Sequence, residues 1–159
     1  MKIETFKHHT PTLSLESYFL GQTWAWGIFE DRFGRLRRSF QVSIQGQLVD
    51  GQLILDEDFI YDDLQTEKRI WRIQPKGDGH YQGKADDIIG EAKGQCAGNA
   101  LNWKYKMDLP VGNSKLRVTF NDWMFLQPGN VMVNKAKVTK WGVHLGTAIL
   151  FFTKQPPTL

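Results

Sequence analysis

Asp122 lies in the run Leu116-Arg117-Val118-Thr119-Phe120-Asn121-Asp122-Trp123-Met124-Phe125-Leu126, where strict alternation turns it to the same side as Val118, Phe120 and Met124. A carboxylate on an apolar face must be paired, hydrated or used. Glu57 is placed in the same way, on the side of Leu53, Leu55, Phe59 and Tyr61. Arg69 shares its side with Trp71 and Ile73 on the next strand-like stretch, so the pattern predicts a cross-strand ion pair between Glu57 and Arg69 facing the interior. Such a pair is either a satisfied buried pair or one that orients a ligand or exchanges a proton. Asn99 and Asn134 are further polar residues in largely apolar strands. With Asp122 they form either a hydrogen-bonding floor beneath a pocket or a set that satisfies itself in a filled core.

Other chemistries are less well served. Asp56, Glu57, Asp58, Asp62 and Asp63 make the densest acidic cluster, but alternation puts Asp56, Asp58 and Asp62 on one face and Glu57 on the other. A charged outer face is expected rather than a calcium loop, and no metal site is predicted. His8, His9, His80 and His144 have no zinc-ligand spacing. Cys96 stands among Gly94, Ala97 and Gly98, with no histidine nearby, and reads as an inert buried thiol. The chain carries no nucleophile elbow and no phosphate-binding glycine loop, and no cofactor is implied.

These residues need strands to position them. With 159 residues the chain fits one domain, and 41% hydrophobic content with six Trp and ten Phe exclude a disordered protein. Fifteen glycines spread along the sequence suit many turns. The net charge of +3 is a near balance of interspersed signs, so nucleic-acid binding is not indicated. Arg35, Arg37 and Arg38 form the densest basic spot, a solvated hairpin end or a contact for phosphate or a lipid headgroup. No apolar run reaches membrane-spanning length, and the start has no signal-peptide core or lipid-accepting cysteine.

Ser14 caps a short predicted helix over 15–20, with Gly21 ending it. From Trp24 the period becomes two: Trp24, Trp26 and Ile28 on one side, Ala25, Gly27 and Phe29 on the other, both apolar. Further strands are expected over 39–45, 52–61, 66–74, 80–89, 99–109, 115–126, 131–141 and 143–153. The fold class is therefore all-β, a single antiparallel up-and-down barrel with a short N-terminal helical turn; a sandwich uses the same pattern. The domain layout is a flexible arm over 1–12, the barrel over 13–154 and a loose tail over 155–159.

Gly21-Gln22-Thr23-Trp24 after a helical turn resembles the opening motif of lipocalins, the calycin-type barrels in which a turn plugs one end. A more extensive likeness covers 13–152 and rests on Trp26-Gly27-Ile28-Phe29, Leu55-Asp56-Glu57-Asp58-Phe59, Tyr61-Asp62-Asp63, Arg69-Ile70-Trp71, Tyr81-Gln82-Gly83-Lys84-Ala85-Asp86-Asp87, Gly98-Asn99-Ala100-Leu101-Asn102-Trp103, Asp122-Trp123-Met124 and Asn134-Lys135-Ala136. In these residues the chain resembles a bacterial family catalogued as domain of unknown function 3833, whose members are described as lipoproteins. The resemblance implies a place in the bacterial envelope or periplasm and transfers no activity.

Three functions are open to such a chain. The first is a lipocalin-like module that binds a small apolar or amphipathic molecule such as a lipid, with Trp26, Trp71, Trp103 and Phe120 as walls and Arg69, Asn99, Asp122 and Asn134 as polar contacts. It requires a cavity on the order of a few hundred Å³. The second is an enzyme using Asp122 or Glu57 as general acid/base. The third is a filled barrel whose outer surface, around Arg35, Arg37 and Arg38, meets a partner or a membrane peripherally. Nothing in the pattern fixes the oligomeric state.

Overall fold

A computed structural model describes residues 1–158. After a 3-10 turn at Ile3–Phe6 come α1 (Leu15–Phe19) and ten strands: β1 (Gly21–Asp31), β2 (Leu36–Val49), β3 (Gln52–Tyr61), β4 (Thr66–Gly77), β5 (His80–Lys84), β6 (Ile88–Ala97), β7 (Ala100–Val111), β8 (Ser114–Gln127), β9 (Val131–Lys140) and β10 (Val143–Thr153). Each strand pairs antiparallel with the next, and β1 pairs with β10 from Trp24 opposite Thr153 to Asp31 opposite Gly146. The result is a closed up-and-down barrel in which no sheet edge is left for another chain to extend.

Alternation decides what lies inside. On β8, Val118, Asp122 and Leu126 are buried and Phe120 and Met124 partly so, while on β7 the inward set is Leu101, Trp103, Tyr105 and Met107. Ten strands enclose a wider bore than eight, and the side chains of one layer cannot fill it.

Short turns join the strands at two ends. At one end, Asp50-Gly51 and Asp78-Gly79 take left-handed backbone angles, as Asn130 does between β8 and β9. These are residue types that tolerate that region. The same end receives α1. Ser14 Oγ accepts the Ser17 N–H at 3.3 Å, the helix stops at Phe19, and Leu15, Tyr18 and Phe19 are buried against the barrel. Gly46 on β2 is what lets α1 come so close: a Cβ there would stand 1.8 Å from the Phe19 carbonyl oxygen. The other end, where α1 is absent, is the mouth.

Two expectations need adjustment. The stretch 80–89 is not one strand: β5 stops at Lys84, Ala85-Asp86-Asp87 turns the chain, and β6 runs on to Ala97. Its pairing with β7 breaks register between Ile89 and Lys93, with Gly90 at φ 68°, so no clean alternation survives in the sequence. Residues 1–12, expected as a flexible arm, hold Ile3 in the buried set and pack Phe6 against Phe125 and Trp123 at 5.3 and 6.0 Å. Of the expected loose tail, 155–158 are exposed and outside any strand or helix, with Pro157 beside an outer hollow near Trp24 and Trp26, and Leu159 lies outside the described residues.

Replacing Gly46 with alanine should push α1 off the barrel end and destabilise the fold by about 1–3 kcal/mol. Urea denaturation of Gly46→Ala beside the parent measures this, and an unchanged midpoint would show that α1 is not wedged there.

Candidate functional site

The barrel interior is open. A cavity of about 540 Å³ runs from α1 to the mouth. Its deep part is apolar, lined by Leu15, Phe19, Leu55, Leu101 and Phe152. The middle is aromatic: Tyr105 stacks on Phe120 with centroids 5.0 Å apart, and Trp71 meets Trp103 and Tyr105 edge-on at 5.5 and 5.3 Å. Toward the mouth the lining turns polar, with Glu57, Glu67, Arg69, Asp87 and Arg38. Of the alternatives the sequence leaves open, this space, which ten strands leave and the side chains do not occupy, fits the binding barrel rather than the filled one. A hollow near 620 Å³ on the outer sheet face, beside Phe151, is open to solvent and lined mostly by apolar residues.

Glu57 and Arg69 stand directly opposite each other on β3 and β4, as alternation requires. They do not form the expected ion pair: among the described residues, no hydrogen bond or ion pair joins them. Arg69 Nε and Nη2 instead donate to Asp87 at 2.9 and 2.8 Å, and Nη2 also reaches Glu67 at 3.1 Å. Asp87 belongs to the β5–β6 turn, which folds over the rim and offers both carboxylate oxygens to the guanidinium fork. Tyr61 donates to Glu67 at 2.6 Å, and the Arg38 guanidinium lies 3.4 Å from the centre of the Tyr61 ring. Arg69 is 13% exposed, so this network closes around a nearly buried cation.

Glu57 is left with no cation of its own. Surrounded by protein, it is still reached by solvent through the cavity. Burial pushes its carboxyl up to about 7; Arg69 opposes the rise, while Asp87, Asp122 and Glu67 add to it. Burial likewise lifts Asp122 to about 7 against the pull of the Asn134 amide and Arg69. The Tyr105 phenol is held well above its usual range by burial, and Asp122 reinforces this. Among the described residues, Asp122 Oδ1 and Asn134 Oδ1 are buried without hydrogen-bond partners. An arrangement of two carboxyl groups that ionise near neutrality beside one fixed cation can hold a donor-bearing polar group, or give and take a proton.

Of the residues picked from the sequence, Arg69, Trp71, Trp103, Phe120, Asp122 and Asn134 line the cavity. Trp26 does not. It is on the outer face of β1, 6.2 Å from Phe151, because the inward positions there are Ala25, Gly27 and Phe29. Asn99 is also elsewhere: it sits in the β6–β7 turn, where its Nδ2 donates to the Leu126 carbonyl at 3.0 Å. Tyr105, Glu67, Asp87 and Arg38 were missed. Tyr105 was within reach, since it alternates with Leu101, Trp103 and Met107, whereas Asp87 lies in a turn where periodicity carries no information. The acidic residues Asp56 and Asp58 face outward, with Lys68 Nζ at 2.5 and 3.1 Å, and no group of ligating side chains with metal-binding geometry occurs among the described residues. Burial pushes the Cys96 thiol up to about 12, consistent with an unreactive cysteine.

With that geometry in view, comparison with known proteins adds a family and two folds. The model of the family described as "Protein of unknown function (DUF3833)" matches residues 1–154. No curated protein matches the sequence. The S-type phycobiliprotein lyase CPES from Guillardia theta superposes with a TM-score of 0.62 at 8% identity, covering 99% of this chain and 100% of that one. A protein of unknown function from the DUF3598 family of Nostoc punctiforme gives 0.60 at 13% identity, covering 90% of this chain and 49% of that one. The fold is thus a lipocalin-like barrel of the kind seen in the lyase.

The raised carboxyl groups set a pH dependence. Unfolded, Glu57 and Asp122 ionise near 4.5 and 3.8; folded, near 7, so the folded state holds more protons between these values. Their contribution to stability is full below about 4 and is lost as pH rises through 7. Thermal melting should therefore show a higher Tm at mildly acidic pH than at alkaline pH, and Glu57→Gln with Asp122→Asn should flatten the slope. A double variant with the parent's slope would remove both groups from this role.

Proposed function

We propose that this chain, which belongs to the DUF3833 family, is a binding protein that takes a small amphipathic molecule into its barrel, apolar end first. One observation carries the reading: a cavity of about 540 Å³ whose lining grades from aliphatic beside α1, through a stacked aromatic layer, to a charged rim. Binding pockets are built in this way, with apolar walls for affinity and a few polar groups to fix orientation. A barrel of the same fold is a phycobiliprotein lyase in Guillardia theta, which is in keeping with a small-molecule role. The polar groups also narrow the ligand. Glu57, Glu67, Asp87 and Asp122 outnumber Arg69 and Arg38 around the cavity, which favours a hydroxyl, amide or amine head over a carboxylate.

A second reading is catalysis, favoured by Glu57 and Asp122 lying on an accessible cavity and ionising near 7. The two readings part cleanly in the variants: in an enzyme, Asp122→Asn or Glu57→Gln abolishes turnover while the fold and ligand uptake persist.

Native mass spectrometry of freshly purified protein, set against a denaturing spectrum, should reveal a bound mass that disappears on denaturation. Ala148→Leu, which narrows the tube at mid-depth beside Ala136, should reduce that fraction at least tenfold with the fold kept. Equal loading of parent and variant would place the ligand outside the cavity.

A further inference from the structure

The five turns at the mouth differ in kind from those at the closed end. Five residues other than glycine have left-handed backbone angles. Three of them, Asp50, Asp78 and Asn130, sit at the closed end and are the types that suffer least there. The other two, Leu64 and Trp141, are at turns of the mouth. Trp141-Gly142 is a two-residue turn between paired Lys140 and Val143, at φ 50° and 79°, where asparagine or aspartate would cost less. Trp141 is nonetheless 91% exposed, Leu64 78% and, on the β1–β2 turn, Phe33 68%. Large apolar side chains held in water, two of them on strained backbone, stabilise nothing within the barrel.

The strand order arranges these tips around the rim. Because β1 pairs with β10, the β1–β2, β9–β10 and β7–β8 turns follow one another, and the β5–β6 and β3–β4 turns complete the circle. The first three bring together Phe33, Trp141, Val143 and Val111 with Arg32, Arg35, Lys115 and Lys140. Of the acids near these turns, Asp31 and Asp108 are each tied to an arginine, Arg37 and Arg117, at 3.0 and 2.9 Å, which leaves the half-buried Glu30 against four cations. The cations of this half rest on its aromatics: Arg32 and Arg35 lie 4.8 and 5.8 Å from the Phe33 ring centre, and Lys140 4.3 Å from that of Trp141. The opposite half carries Asp62, Asp63, Asp86 and Asp87.

We propose that the β1–β2, β7–β8 and β9–β10 side of the mouth docks on an anionic lipid bilayer. An exposed Trp and Phe interleaved with Arg and Lys match the headgroup zone of such a membrane, where aromatic rings sit at the interface and each basic residue is drawn to the surface charge. The acidic half faces away, so the barrel meets the bilayer tilted. This surface borders the cavity mouth, where Val111 also lines the cavity, but Trp141, Phe33, Arg32 and Arg35 line no part of it, and docking through them does not require a bound ligand.

The test is flotation of the full chain with vesicles of phosphatidylcholine alone and of phosphatidylcholine mixed with phosphatidylglycerol. The protein should float with the mixed vesicles only, and added salt should release it. Trp141→Asn is the informative variant: it relieves the turn, so its Tm should equal or exceed the parent's while its flotation falls severalfold. Reversing Arg32 and Arg35 to Glu should weaken flotation about fivefold per charge. Leu64→Asn, on the acidic half, should leave it unchanged. Flotation that is the same with both vesicles, that survives Trp141→Asn, or that gives way to self-association on a sizing column overturns the proposal. Native mass spectra of Trp141→Asn should keep any bound mass, so failure of this surface and failure of the cavity reading are told apart.

Discussion

Closure between β1 and β10 is the contact on which everything else depends. Eight residues of β1, Trp24 to Asp31, find partners on β10, and that seam fixes the register all the way round. Side chains alternate strictly along a strand, so a slip of one residue would turn Asp122, Glu57 and Arg69 to solvent and bring Lys and Asp side chains in. Core packing and site geometry are consequences of the same register.

The interior accepts polar groups that a purely stable core would exclude. Arg69 is compensated by Asp87 and Glu67, but Glu57 has no cation of its own, and Asp122 and Asn134 keep unmet acceptor atoms. Each unmet group costs free energy in a folded protein. A barrel with a long apolar lining can bear that cost. The aromatic layer supplies it locally, since Trp71, Trp103, Tyr105 and Phe120 bury large areas beside the charged groups.

Alternation made much of this legible. It placed Glu57, Arg69, Trp71, Trp103, Phe120 and Asp122 inside, because each lies in a strand with one polar and one apolar face. It failed on β1, where Trp24 and Trp26 are as apolar as Ala25 and Phe29 and periodicity cannot choose a side. It also failed on the partner of Arg69: Asp87 comes from a turn, and a partner supplied by a turn is a tertiary event that strand pattern does not encode. The split of 80–89 into the end of β5 and the start of β6 was hidden for a related reason, since glycine and a register break erase the period.

Because α1 covers the far end, the barrel is a blind tube rather than a passage. Whatever enters leaves by the way it came, in reverse order, and the group that stays at the rim is the last to enter and the first to leave. Arg69 and Asp87 stand on the polar side of that single opening, and the depth of the tube sets how much apolar lining lies behind them.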